Sequence, residues 1–229
     1  MRSGEEAFCV DSPVLPEELE TLPAVAEQAG FRVVGLLATH ADWDHLLGRF
    51  AFPDAALGLS ESSAARLRGA LGEPQRELRG FDAEWYIERP RPLSLGDVQA
   101  LPVPGHLGVG ETELELHPAE GHTVDGMAVL VPWARVLVCG DYLSPVEIPM
   151  LSPGGSAGAY LATLERLEEL IARADWVVPG HGAPLDAERA LAILREDRAY
   201  VAGLPDAPLP LARRTAAQQR IHLRNVERL

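Results

Sequence analysis

Residues 39–45 read Thr-His-Ala-Asp-Trp-Asp-His, and their reading decides the fold. Two imidazoles and two carboxylates, His40, Asp42, Asp44 and His45, crowd together directly after the apolar run Phe31–Thr39. Such a run predicts a buried β-strand. The polar cluster then sits at the strand's C-terminal end, where α/β folds place their functional loops. Imidazoles and carboxylates at this density are a donor set for borderline and hard divalent ions.

The same context recurs further along the chain. His122, in Gly121-His122-Thr123, follows the strand-like stretch Glu113–His117. Asp141 follows the run Val136–Gly140, and His181, in Pro179-Gly180-His181-Gly182, follows Trp176–Pro179. Four of the seven histidines therefore lie at predicted strand ends. His106, in a Gly-rich turn, and His117 lack that context and read as structural, and His222 reads as exposed.

Between these points, Ala7–Val10, Ala55–Leu59, Val98–Val103 and the hairpin Met127–Val131/Val136–Cys139 read as strands. Pro16–Ala29, Ser60–Leu71, Tyr160–Ala174 and Ala187–Ala199 read as helices, with Ser60 and Ser63 as candidate caps and Gly30 as a stop signal. Residues 73–95, with three prolines and with Gly72 and Gly96 on either side, read as an irregular surface excursion. Strands and helices alternate throughout, which predicts an α/β architecture with mixed sheets.

Composition narrows the function. At 229 residues one large domain can bury its core without a disulfide. We expect residues 1–204 to form it. A proline-rich linker and an arginine-rich helical tail, residues 205–229, would pack on or beside it. The tail carries Arg213, Arg214, Arg220, Arg224 and Arg228 against Glu227. It reads either as a docking helix or as a contact for a partner or a substrate anion. The net charge of −14 argues against a nucleic-acid surface. All 20 basic residues are arginine, which excludes a Walker lysine, a Schiff-base lysine and a Ser-Lys dyad. The longest apolar runs fall far short of the roughly 20 residues a membrane helix needs. The N-terminal residues lack a signal-peptide core, so a cytoplasmic protein is expected. Cys9 and Cys139 lie in apolar runs and read as reduced, buried thiols.

Taken in order, these residues resemble the metallo-β-lactamase fold superfamily. Asp11 follows the first strand. His40-Ala41-Asp42-Trp43-Asp44-His45 matches the signature H-x-H-x-D-H, with aspartate in place of its second histidine. His122 matches the lone histidine of the third motif, Asp141 the bridging aspartate, and His181 the last histidine. Gly-His-Thr and Pro-Gly-His-Gly look most like the glyoxalase II branch. The resemblance begins at the family's second strand, so its first strand is expected to be short or missing.

The resemblance implies a four-layer αβ/βα sandwich of two mixed sheets with two divalent metal ions at one edge. One ion would take His40, Asp42 and His122, and the other Asp44, His45 and His181, with Asp141 bridging. Asp11, Ser12 and Asp125 would orient the ligands. The implied activity is hydrolysis of a small-molecule ester, thioester or lactone by a metal-bound hydroxide, which Asp44 would orient; the first metal would hold the oxyanion, and Tyr142 reads either as its helper or as a core tyrosine. No nucleic-acid or membrane partner is implied, and nothing in the sequence sets an oligomeric state.

Asp42 complicates the metal: it reads as a direct ligand or, failing that, as a group behind the ligands or a weakening of the first site. A carboxylate there leaves the loaded core neutral, where histidine would leave one net positive charge. Less positive charge acidifies bound water less and favours iron or manganese over zinc. Flavodiiron proteins of this superfamily carry a glutamate at that position. Persulfide dioxygenases bind one iron through the equivalents of His40, His122 and Asp141. A mono- or di-iron oxidoreductase is therefore the alternative to a zinc hydrolase, and a non-catalytic scaffold is a third.

Overall fold

The apolar runs become the strands of two mixed sheets with helices packed on them. The computed structural model describes residues 1–229 as two units, Met1–Leu114 and Glu115–Leu229.

The first unit begins with β1 (Arg2–Ser3), β2 (Glu6–Val10), α1 (Pro16–Gln28) and β3 (Arg32–Leu37). A 3-10 turn at Trp43–His45 leads to the short α2 (Gly48–Ala51), β4 (Ala56–Ser60), α3 (Glu61–Gly69), α4 (Glu73–Trp85), β5 (Val98–Leu101) and β6 (Gly105–Val109). Its sheet runs β1-β2-β3-β4-β5, and every pair beyond the antiparallel β1–β2 is parallel. The first strand is only two residues long. Leu36, Leu46, Leu57, Leu59 and Leu67 form one buried cluster, and Leu19, Leu47, Leu78 and Leu93 a second.

The chain passes into the second unit along β7 (Thr112–Pro118). There follow β8 (Met127–Val131), β9 (Val136–Val138), α5 (Ala157–Ile171), β10 (Trp176–Val178), β11 (Leu185–Asp186), α6 (Ala187–Ala202) and α7 (Ala216–Val226). The sheet order is β11-β10-β9-β8-β7-β6, with β9–β10 parallel and β7–β8, β8–β9 and β10–β11 antiparallel. All five residues of β8 are buried, as a strand covered on both faces must be. Leu164, Leu167 and Ile171 recur on one face of α5 and are at most 1% exposed. Each such side chain stabilises the fold by ~1.5–3 kcal/mol. Ser60, Ser156, Asp186 and Thr215 cap α3, α5, α6 and α7 through their side chains, while Ser63 donates its N–H to the Ser60 cap.

Three expectations need correction. The stretch read as irregular contains α4, a helix of 13 residues. Pro74 stands in its first turn, where no intrahelical N–H is needed, and Gly72 enters with φ 75°. Its apolar stripe is short: Leu78 is buried, and Phe81 stacks on Trp43 with ring centroids 4.8 Å apart. His106 lies in a strand, β6, rather than in a turn. His222 is half-buried and its Nδ1 meets the Tyr200 hydroxyl at 3.0 Å.

Candidate metal centre

In the first unit the metal-capable residues gather where β2 and β3, a parallel pair, end side by side. Asp11, in the left-handed region at φ 53°, donates its N–H to Leu37 O at 2.8 Å. That turn brings its carboxylate across to the end of β3. Oδ1 accepts the Thr39 N–H at 2.8 Å, and Oδ2 accepts the Thr39 hydroxyl at 2.9 Å. Oδ2 also lies 2.9 Å from His45 Nδ1. His40 Nδ1 in turn meets Thr39 Oγ1 at 3.1 Å. Because the Thr39 proton goes to Asp11, the His40 Nδ1–H is the donor to Thr39. Both rings are therefore protonated at Nδ1 and carry their lone pair at Nε2, the tautomer a metal needs. Burial raises the Asp11 carboxyl, but His45, the Thr39 N–H and His40 outweigh it and hold it below the ordinary carboxylate range.

The Nε2 atoms face the signature's carboxylates. His40 Nε2 lies 3.5 Å from Asp42 Oδ2, and His45 Nε2 lies 3.7 Å from Asp44 Oδ2. The 3-10 turn sets this arrangement, with His45 N–H donating to Asp42 O at 3.2 Å. The other oxygen of Asp42, Oδ1, is 2.7 Å from Arg66 Nη2 on α3. Glu77, on α4, is held above the ordinary carboxylate range by partial burial and by the charges of Asp42, Glu73 and Asp44. The signature thus stands in a negative field.

In the second unit three loops carry the remaining residues. Gly121, at φ 125°, lets the loop after β7 press against the start of α5. A Cβ there would lie 2.2 Å from Tyr160 N. His122 follows, with its N–H given to the Tyr142 hydroxyl at 3.0 Å and its Nδ1 2.8 Å from Met150 O. A carbonyl only accepts, so Nδ1 holds the proton and the lone pair is again at Nε2. Asp141, just past β9, faces two rings: Oδ2 lies 3.1 Å from His122 Nε2 and Oδ1 lies 3.2 Å from His181 Nε2. Ser144 Oγ donates to His181 O at 2.9 Å.

A divalent ion with bonds of ~2.0–2.2 Å keeps neighbouring donors ~3.0–3.6 Å apart. The four nitrogen–oxygen distances above fall in or at the edge of that range, and every donor is an imidazole nitrogen or a carboxylate oxygen. These residues fit a divalent metal.

The other expected residues stand behind this donor set. Tyr142 is 2% exposed, and its hydroxyl donates to Glu120 O at 2.7 Å while accepting from His122 N. Burial pushes its phenol well up. Both of its bonds thus go to the backbone that carries His122. Asp125 is fully buried in the same loop. Ser12 follows Asp11, and its hydroxyl is buried without a hydrogen-bond partner in the protein. Sequence reading missed Thr39, although it stands inside the quoted stretch; a hydroxyl beside a metal-capable histidine was the available signal. It also missed Arg66 and Met150, which no local pattern marks.

A profile of the metallo-beta-lactamase superfamily matches residues 10–181. Over 247 aligned residues the chain is 28% identical to the acyl-coenzyme A thioesterase MBLAC2 of Gallus gallus, covering 98% of this chain and 86% of that protein. Among solved structures, a metallo-beta-lactamase from Pontibacter korlensis aligns with TM-score 0.59 and 22% identity over 85% of each chain. The protein TTHA1623 in a di-iron-bound form aligns with TM-score 0.59 and 24% identity over 77% of this chain and 83% of its own. Both share the fold. The chain belongs to the metallo-beta-lactamase superfamily.

Proposed function

We propose that this chain is a metal-dependent hydrolase of small acyl thioesters. The observation that carries the proposal is the set of Nδ1-anchored imidazoles, His40, His45 and His122, each turning Nε2 to a carboxylate at 3.1–3.7 Å. The metal donors we assign are His40, Asp42, Asp44 and His45 in the first unit and His122, Asp141 and His181 in the second. Superfamily membership and the thioesterase relative support a metallo-hydrolase.

When bound, divalent ions supply Lewis-acid polarisation of the carbonyl and activation of water. The chain's own residues do the rest. Asp11 and Thr39 fix the rings of His40 and His45. Tyr142 fixes the His122 backbone rather than meeting an oxyanion. Asp44 accepts a proton from the attacking water. Exposed apolar side chains flank the ligands of the second unit: Val124 is two residues past His122, and Val146 packs near Gly182 beside His181. They suit an acyl chain better than a charged group.

The carboxylate at position 42 favours the iron oxidoreductase reading. Arg66 counters it, because the Asp42–Arg66 pair has the net charge of a neutral histidine. We therefore favour zinc. No helix is long and apolar enough to cross a membrane.

The test is a substrate panel on the zinc-loaded protein: an acyl-coenzyme A, S-acyl glutathione, an aryl ester, a lactone and a β-lactam. The thioesters should give the highest kcat/KM, rising with acyl length. Absence of hydrolysis, with oxygen uptake on a persulfide by the iron form, would establish the oxidoreductase instead.

A further inference from the structure

The loop Ser144–Ser152, after Asp141, braces two of the histidines from behind. Ser144 bonds His181 O, and Met150 O accepts the His122 Nδ1–H. The loop has no helix or strand of its own. Its backbone groups are held by side chains of the C-terminal tail instead. Arg213 donates to Ser144 O at 3.3 Å and to Glu147 O at 2.8 Å. Gln218 Oε1 accepts the Ile148 N–H at 2.7 Å. Arg228 donates to Leu151 O.

Asn225 makes the most telling contact. It is fully buried, and it is the chain's only asparagine. Its Nδ2 donates to Pro149 O at 2.7 Å, and its Oδ1 accepts the Leu151 N–H at 2.8 Å. One amide therefore grips the backbone on both sides of Met150, the residue whose carbonyl sets the His122 tautomer. The amide needs both functions: aspartate keeps the acceptor and loses the donor, and an apolar residue loses both. Nδ2 also reaches the Tyr200 hydroxyl at 3.1 Å, which ties the grip to α6.

We propose that Asn225 is a positioning residue for the metal centre. It holds the Pro149–Leu151 backbone so that Met150 O keeps the His122 proton on Nδ1 and the lone pair on Nε2. The arginine-rich tail is thereby a template for the loop behind the ligands. This rests on the reading of His122 as a metal ligand.

The test compares Asn225→Ala and Asn225→Asp with Ile221→Ala, a tail variant whose side chain packs on the core and cannot hydrogen-bond the loop backbone. Zinc affinity is measured by competition with a chromophoric chelator, at temperatures where circular dichroism shows each protein folded. The His122 tautomer is read from ring nitrogen-15 shifts. Asn225→Ala should lose ~10–100-fold in zinc affinity, as loss of a ligand-orienting partner does, and should mix the tautomers. Asn225→Asp, which keeps side-chain size and the Leu151 contact, should show a smaller loss and stands in if the alanine variant fails to fold. Ile221→Ala should lose stability with affinity unchanged. Wild-type affinity in folded Asn225 variants, or an equal loss in Ile221→Ala, would overturn the proposal. A wild-type chain that binds no zinc would overturn this proposal and the metal assignment together.

Discussion

Arg66 Nη2 lies 2.7 Å from Asp42 Oδ1, so this aspartate carries its own counter-charge. Both side chains are about a quarter exposed or less, so the pair matters more for the metal than for stability. Arg66→Gln should shift metal preference from zinc toward manganese or iron, measured by competitive loading. Asp42→His in that background should shift it back. Asp42→Ala should lower metal occupancy. Zinc preference unmoved by Arg66→Gln would show that the pair does not tune the site.

Asp11 and His45 give a second, sharper variant. Asp11→Asn keeps the left-handed backbone, which asparagine tolerates, and keeps an oxygen for the Thr39 N–H. It can place an NH2 against His45 Nδ1, which drives the ring proton to Nε2 and blocks the metal. Zinc affinity should fall ~10–100-fold. The melting temperature of the metal-free protein should move little. A large loss of metal-free stability with unchanged affinity would assign Asp11 to folding alone.

Two glycines at α5 should respond in opposite directions. A Cβ on Gly121 would meet Tyr160 N at 2.2 Å, and the residue has φ 125°. Gly121→Ala should destabilise the fold by more than about 4 kcal/mol or prevent folding, the class of effect tied to backbone strain and overpacking. Gly158 is helical and has nothing within 4 Å of its Cβ position. Gly158→Ala should stabilise by ~0.5–1 kcal/mol. Chemical denaturation of the two variants decides.

Asp197 predicts a pH dependence. It is buried against Arg213 at 2.6 Å, and burial pushes its carboxyl up to about 7 despite that partner. Its unfolded value is ~3.9. Between those values the folded chain holds a proton that the unfolded chain has lost. Its contribution to stability is therefore full below about pH 4 and is lost as pH rises through about 7. Asp197→Asn should remove that component. Denaturation midpoints at about pH 5 and about pH 8 should differ less in the variant than in the wild type. Equal differences would place the proton elsewhere.

The strand ends and their metal-capable residues were legible because one local rule governs them: an apolar run followed by polar donors. The variant at Asp42 was legible too, but its consequence was not. Arg66 lies beyond β4, and only the parallel packing of β3 and β4 brings α3 to the signature. The helix α4 was hidden because Pro74 reads as a breaker unless its position at the first turn is known. Asn225 is the chain's single asparagine. Its grip spans 74 and 76 residues to Leu151 and Pro149, a distance at which sequence carries no pattern.

Metal-dependent thioester hydrolysis is tested most directly by titrating metal-free protein with zinc while an acyl thioester is present. Hydrolysis should be absent without metal, rise with added zinc, and saturate at about two equivalents per chain. Hydrolysis that proceeds at full rate without metal, or a zinc-saturated protein that leaves every thioester intact, would contradict it.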